Sequence, residues 1–345
     1  MAHVATITID HTKVPGDLTD YVGLIVPDGS AGYSALYALC LEGGGDIRLF
    51  KSDDTTELAR EIVSFSVSAE TGEIHYKYSG TLSSSVDTDI HVYADGSSAD
   101  YAVGATYGRN NVWSGYKFAS HNGGGTDSSG NVTTTANGGV SAGGATGKIG
   151  EATEFDGSND NFTTNYVPRS AIGSGDLTVS ILIKAPSPAS NGWPLVMSDN
   201  AGYSNSIGFR ASSGSANLRI FFRDGSSSNA GPSADGVIDD TWHFIHLTRS
   251  GTTAISYIDG ALEDSVTDSE IASDGGNGLI IGQTGGQDFD GLLDEVRISN
   301  SVLTANWITT EHNNQNSYST FYSVAAVAGG STPAQAARRG AVMMM

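Results

Sequence analysis

The run Phe289-Asp290-Gly291-Leu292-Leu293-Asp294-Glu295-Val296-Arg297-Ile298-Ser299 constrains this chain more than any other stretch. Apolar and charged residues interleave in it with the two-residue period of a β-strand. As a regular strand it sets Leu292, Asp294, Val296 and Ile298 on one face and Leu293, Glu295, Arg297 and Ser299 on the other. Glu295 and Arg297 then pair across one residue. Asp294 falls among apolar neighbours, so its carboxylate must be bonded to backbone, hold a cation or lie at the end of a sheet. The ~180 residues before it read as the rest of a sandwich that it closes.

The length of 345 residues implies two domains, since single cores stop growing near ~250–300 residues. The 45 glycines, with 38% hydrophobic and 16% charged residues, suit an all-β chain with many turns and cores of real size, which excludes global disorder. The net charge of −21, from 38 acidic and 17 basic residues, argues against nucleic acid or an anionic membrane as partner and leaves carboxylates for hard cations. No apolar run reaches the ~18–20 residues of a membrane span. Cys40, alone in Ala38-Leu39-Cys40-Leu41, can form no intrachain disulfide and reads as a small buried hydrophobe. The start, Met1 to Asp10, enters strand-like alternation without a basic and then apolar leader, so no secretory signal is expected.

Read along its length, the chain is expected to form two antiparallel β-sandwich (jelly-roll) domains in tandem, residues 1–108 and 109–323, followed by an Ala- and Gly-rich tail, 324–345, suited to anchoring. The first domain has strand patterns at Thr6–Asp10, Tyr21–Pro27, Asp46–Lys51, Glu61–Val67, Glu73–Tyr78 and Asp89–Tyr93, each bounded by turn residues. A Trp-bearing strand is expected at Val112–Phe118. The Gly-, Ser- and Thr-rich stretch up to Gly150 is long enough to hide a short strand. The second domain has strand patterns from Asp176–Lys184 through Trp242–Arg249 to the closing strand, with a hairpin marked by Asp259-Gly260. Thr304–Glu311 reads as a short helix with Trp307 packed inward.

A resemblance rests on Asp127-Ser128-Ser129-Gly130-Asn131, Gly147-Lys148-Ile149-Gly150 and Glu154-Phe155-Asp156-Gly157-Ser158-Asn159-Asp160, followed by Asp240-Thr241-Trp242-His243-Phe244, Tyr257-Ile258-Asp259-Gly260, Ile281-Gly282 and Phe289–Ile298. In order and spacing these resemble the laminin-G-like, concanavalin A-like jelly-roll family, which implies a fold rather than a ligand. Ile7-Thr8-Ile9-Asp10, Gly44–Phe50 and Asn111-Val112-Trp113 resemble an uncharacterised β-sandwich family that precedes such modules in bacterial surface and phage proteins. That family follows its Trp strand with an aromatic-His-apolar-acidic run. Here the run is Ala119-Ser120-His121-Asn122-Gly123, in which the His is kept and the acid is missing.

Glucanases of the concanavalin A-like fold place carboxylates alternately on one strand; Glu154 and Asp156 share a face, but Ser158 stands where a third acid would be. Gly139-Val140-Ser141-Ala142-Gly143 spells a nucleophile elbow without the strand–turn–helix that the motif needs. His243 and His246 fall on opposite faces of a strand, unlike zinc ligands. Asp127 and Asn131 share a tight turn and, with Asp294, form the candidate set for a structural calcium ion, which the resemblance implies; the competing reading is an Asx turn bonded to its own backbone. Trp193, Tyr203 and Phe222 lie beside loops and are the candidate glycan-binding aromatics, with ordinary packing as the competing reading.

The sequence therefore points to a non-enzymatic structural and adhesion protein of a phage virion, with other virion proteins or its own copies as partners and surface glycans as a further ligand. The alternative is a bacterial cell-surface carbohydrate-binding module, and third a glycoside hydrolase of concanavalin A-like fold.

Overall fold

A computed structural model of the chain describes residues 1–166, 175–187, 191–198, 206–224, 227–267, 278–284 and 286–327. The chain forms two compact units, one of residues 1–112 and 313–345, the other of residues 113–312. The sequence pattern places these divisions at 108/109 and 323/324; residues 313–323 group instead with the first unit. Both units are antiparallel β, as the composition requires.

In the first unit seven strands are joined in the order Leu18–Ile25, Thr71–Leu82, Glu57–Ser66, Arg48–Lys51, Thr88–Ala94, Ala2–Ile9 and Tyr322–Ala326. Glu57–Ser66 serves two neighbours. Glu57 and Leu58 pair with Phe50 and Leu49, and the strand beyond Ala59 pairs with Thr71–Lys77 across a bulge. One strand thus carries the sheet from one layer to the next. Its apolar face, including Ile7, Leu49, Leu58 and Ile90, is wholly buried. The last strand, which the sequence pattern divides between the second domain and the tail at 323/324, is held in register from Ala5↔Ala326 to Ile9↔Tyr322. Cys40 is buried as expected, and burial pushes its thiol up to about 12.

The second unit is a two-sheet jelly roll. One sheet runs Ala261–Thr267, Thr253–Ile258, His243–Ser250, Leu177–Lys184, Asp290–Ser299, Glu151–Asp156, Ala145–Thr146, with Tyr116–Ser120 also paired to Asp290–Ser299. The other runs Ser227–Ala234, Leu218–Asp224, Ser206–Ala211, Gly192–Ser198, Leu279–Ile281, Asn161–Thr164, Thr134–Asn137. Val179, Ile181 and Ile183 of the first meet Leu195, Phe209 and Ile281 of the second in one core. Thr134–Asn137 and Ala145–Thr146 are the short strands expected within the Gly-rich stretch. The Trp-bearing strand is displaced: Arg109–Val112 is a helical turn, Trp113 starts the second unit and the strand is Tyr116–Ser120. Asp259 (φ 52°) and Gly260 (φ 80°) make the two-residue hairpin turn that the sequence announces.

Asp290–Ser299 is an interior strand of its sheet, but not a regular one. Glu295 has φ 47°, and its partner strand slips between Ser180↔Arg297 and Leu182↔Asp294. Two steps on Leu177–Lys184 therefore match three on Asp290–Ser299, which is a β-bulge. The face assignment changes with it. Leu293, Val296 and Ile298 enter the core, whereas a strict alternation would have paired Leu292 and Asp294 with Val296 and Ile298. The bulge lies where the outer neighbour changes, from Glu151–Asp156 against residues 290–293 to Tyr116–Ser120 against residues 296–299.

Candidate functional site

Away from the core, this strand carries a chain of buried polar and charged side chains within the second unit. The His121 Nδ1–H donates to Glu295 Oε1 at 3.0 Å. The other Glu295 oxygen accepts from Arg297 Nη2, and Arg297 Nη1 donates to Glu311 Oε1. Glu311 Oε2 then accepts the Nε2–H of His246 at 3.0 Å. Both imidazole tautomers follow from this pattern, because an ionised carboxylate can only accept. The Trp113 ring lies against the guanidinium, 4.9 Å from its centroid. None of the five is more than 7% exposed.

Burial alone would lower the Arg297 pKa, but Glu295 and Glu311 outweigh it and hold the guanidinium above its ordinary value. Burial likewise works to raise the Glu311 carboxyl; the Arg297 charge and the His246 hydrogen bond win and keep it below the usual range. The pairing of Glu295 with Arg297 was legible from spacing. His246 and Glu311 were not, because Glu311 comes from the helix Ala305–Asn316. That helix was expected over Thr304–Glu311 with Trp307 inward; its wholly buried apolar residue is Ile308. The acid missing after His121 in the local run is supplied by Glu295. A substrate has no access to ions sealed this completely, and their chemistry is to fasten a helix and a loop to the sheet.

The proposed calcium ligands are held separately. Asp127 accepts the N–H groups of Ala119, Ser129, Asn131 and Val132 and the Ser129 hydroxyl, at 2.8–3.0 Å. Asn131 donates to Tyr116 O at 3.1 Å. Asp294 accepts the Ile149 N–H at 3.0 Å, the first of the three solutions open to it. A cation at Asp127 would have to displace donors already aimed at both oxygens.

Among the candidate aromatics, Trp193 is 3% exposed; it packs on Phe221 and donates to Gln287 Oε1 at 2.8 Å. The side chains of Tyr203 and Phe222 lie outside the described residues. Glu154 and Asp156 are both exposed, and Asp156 accepts the Ser158 N–H at 2.8 Å as a turn residue. His243 is clasped between Asp259 at 2.8 Å and Asp239 at 3.3 Å.

Residues 156–309 match the laminin-G-like model described as the concanavalin A-like lectin/glucanases superfamily. The second unit is a laminin-G-like jelly-roll domain. No curated protein matches the chain. Among solved structures, it is similar to the receptor-binding domain of botulinum neurotoxin C/D mosaic serotype, with 15% identity and a TM-score of 0.48 over 59% of this chain and 52% of that one. It is also similar to domain 4 of the extracellular arabinanase AbnA from Geobacillus stearothermophilus, solved with arabinotriose, with 20% identity and a TM-score of 0.43 over 56% of this chain and 96% of that one. The match thus spans about half the length of the toxin domain.

Proposed function

We propose that this protein is a non-enzymatic glycan-binding adhesion protein whose laminin-G-like unit is the displayed module. The observation that carries the proposal is the lectin-type sandwich itself, matched over residues 156–309. Two features of the domain agree with binding rather than turnover. Its buried acids at 295 and 311 are committed to Arg297, and the acids at 154 and 156 stand in the open at the end of a strand. Trp193 serves as a packed support, and the contact with sugar is assigned to Tyr203 and Phe222. Display on a phage particle, beside other virion proteins or copies of itself, rests on the acidic, glycine-rich composition and on the resemblance of the first domain.

A glycan array probed with the whole chain tests this. Retention of a defined set of oligosaccharides, weakened by Tyr203→Ala or Phe222→Ala with the fold unchanged, is the expected result. An empty array at high protein concentration would remove the glycan reading. Release of reducing ends from a β-glucan, abolished in Glu154→Gln, would transfer the protein to the glycoside hydrolases.

A further inference from the structure

Outside the lectin-like unit, the first unit brings two histidines and an aspartate together on the outer face of its sheet. His3 lies on Ala2–Ile9, His91 on Thr88–Ala94, and Asp54 in the turn after Arg48–Lys51. One ring nitrogen from each histidine and one carboxylate oxygen all lie within 4.8 Å of one another. The rings of His3 and His91 stack at 4.3 Å, with Tyr93 against His3 at 5.0 Å. Asp54 accepts from His91 Nδ1 at 2.5 Å and from the Tyr93 hydroxyl at 2.8 Å.

Two backbone irregularities build this cluster. The ladder between these strands slips between His3↔Tyr93 and Ala5↔Val92, so Val4 is an extra residue. Without that bulge His3 would share the face of Ala5 and Ile7, both wholly buried; with it His3 shares the face of Tyr93 and His91. Asp54 sits at φ 56°, a conformation uncommon for a residue with a side chain. The site is open on one side: the Asp54 side chain is 51% exposed and that of His91 16%.

We propose that His3, His91 and Asp54 form a binding site for a divalent transition-metal ion of the zinc type, with water in the remaining positions. Two imidazoles and one carboxylate are the donor set that zinc, nickel and copper prefer, whereas calcium takes oxygen ligands. Metal–nitrogen bonds of about 2.0–2.1 Å require the donors to draw closer than they now stand, which rotation of the half-buried histidines and the exposed Asp54 provides.

Calorimetric titration of the untagged full chain with zinc chloride tests the site, with calcium chloride as the comparison. One zinc ion per chain is expected at this site and no heat from calcium. His3→Gln, His91→Gln and Asp54→Asn should each weaken zinc by at least about tenfold, judged against the effect of losing even a supporting partner in metal sites. His11→Gln, in the separate Asp10–His11–Asp87 cluster, should leave that affinity unchanged. Thermal melts of each variant check that the fold persists, and His3→Gln, near the start of an outer strand, serves if His91→Gln fails to fold. Zinc binding that is absent, that survives both histidine substitutions, or that disappears in His11→Gln overturns the proposal.

Discussion

At the scale of single residues, the second unit depends on how its buried charges are matched. Arg297 stands between two carboxylates that have no access to water. Arg297→Met keeps the volume but leaves Glu295 and Glu311 without their cation, and breaking a buried pair from one side costs about 3–5 kcal/mol. Denaturant unfolding of the variant should show that loss. Glu311 also sets a pH dependence. Its folded pKa lies below the ordinary value of 4.5, so the stabilisation is complete above that value and fades as the pH falls through the folded pKa. Unfolding midpoints should therefore drop below pH 4.5, and Glu311→Gln should flatten that drop. An unaltered acid profile in Glu311→Gln would show that other groups govern it.

At the scale of elements, the deciding features are a bulge and a turn. The spacing of Glu295 and Arg297 made their pairing legible, and the same alternation led to the wrong face for Leu293. Nothing in the letters around Glu295 signals the extra residue; it arises because the strand changes its outer partner there. The turn at Asp259-Gly260 was legible, because few residue pairs tolerate two successive positive φ angles. Gly260 is constrained from a second direction, since an added Cβ would lie 2.9 Å from the His312 Cβ. Gly260→Ala should accordingly cost more than about 1 kcal/mol, from backbone strain and crowding together. A variant as stable as the parent in denaturant titration would show that the helix can move aside.

At the scale of the whole molecule, the first unit is completed by the far end of the chain. Asn314 accepts the Leu24 N–H at 2.7 Å and donates to Leu24 O at 2.9 Å, and Tyr322–Ala326 extends the sheet beside Ala2–Ile9. Asn314→Ala leaves two buried backbone groups of Leu24 unpaired, at a cost of about 1–3 kcal/mol for each group left unsatisfied. Truncation after Asn316 removes the last strand and should lower the melting temperature of the first unit. Truncation after Val327 spares that strand. The latter is also the cleaner test of anchoring by the tail, since a cut at Ala325 would remove part of the sheet. Normal incorporation of the chain ending at Val327 into particles would count against an anchor beyond it.

Local chemistry alone determined that this chain is all-β and where its tight turns fall, while the order and spacing of its motifs supplied the resemblance of its second half to a laminin-G-like sandwich. Alternation, Gly and Asp placement and apolar content act over a few residues and can be read there. Only the tertiary structure decided that Glu295 supplies the acid for His121, that Glu311 reaches across to Arg297, that Asp127 spends its oxygens on backbone, and that Val4 turns His3 outward. Each of these depends on which distant strand or helix lies alongside, and a carboxylate finds its partner by proximity in space, for which sequence spacing carries no signal.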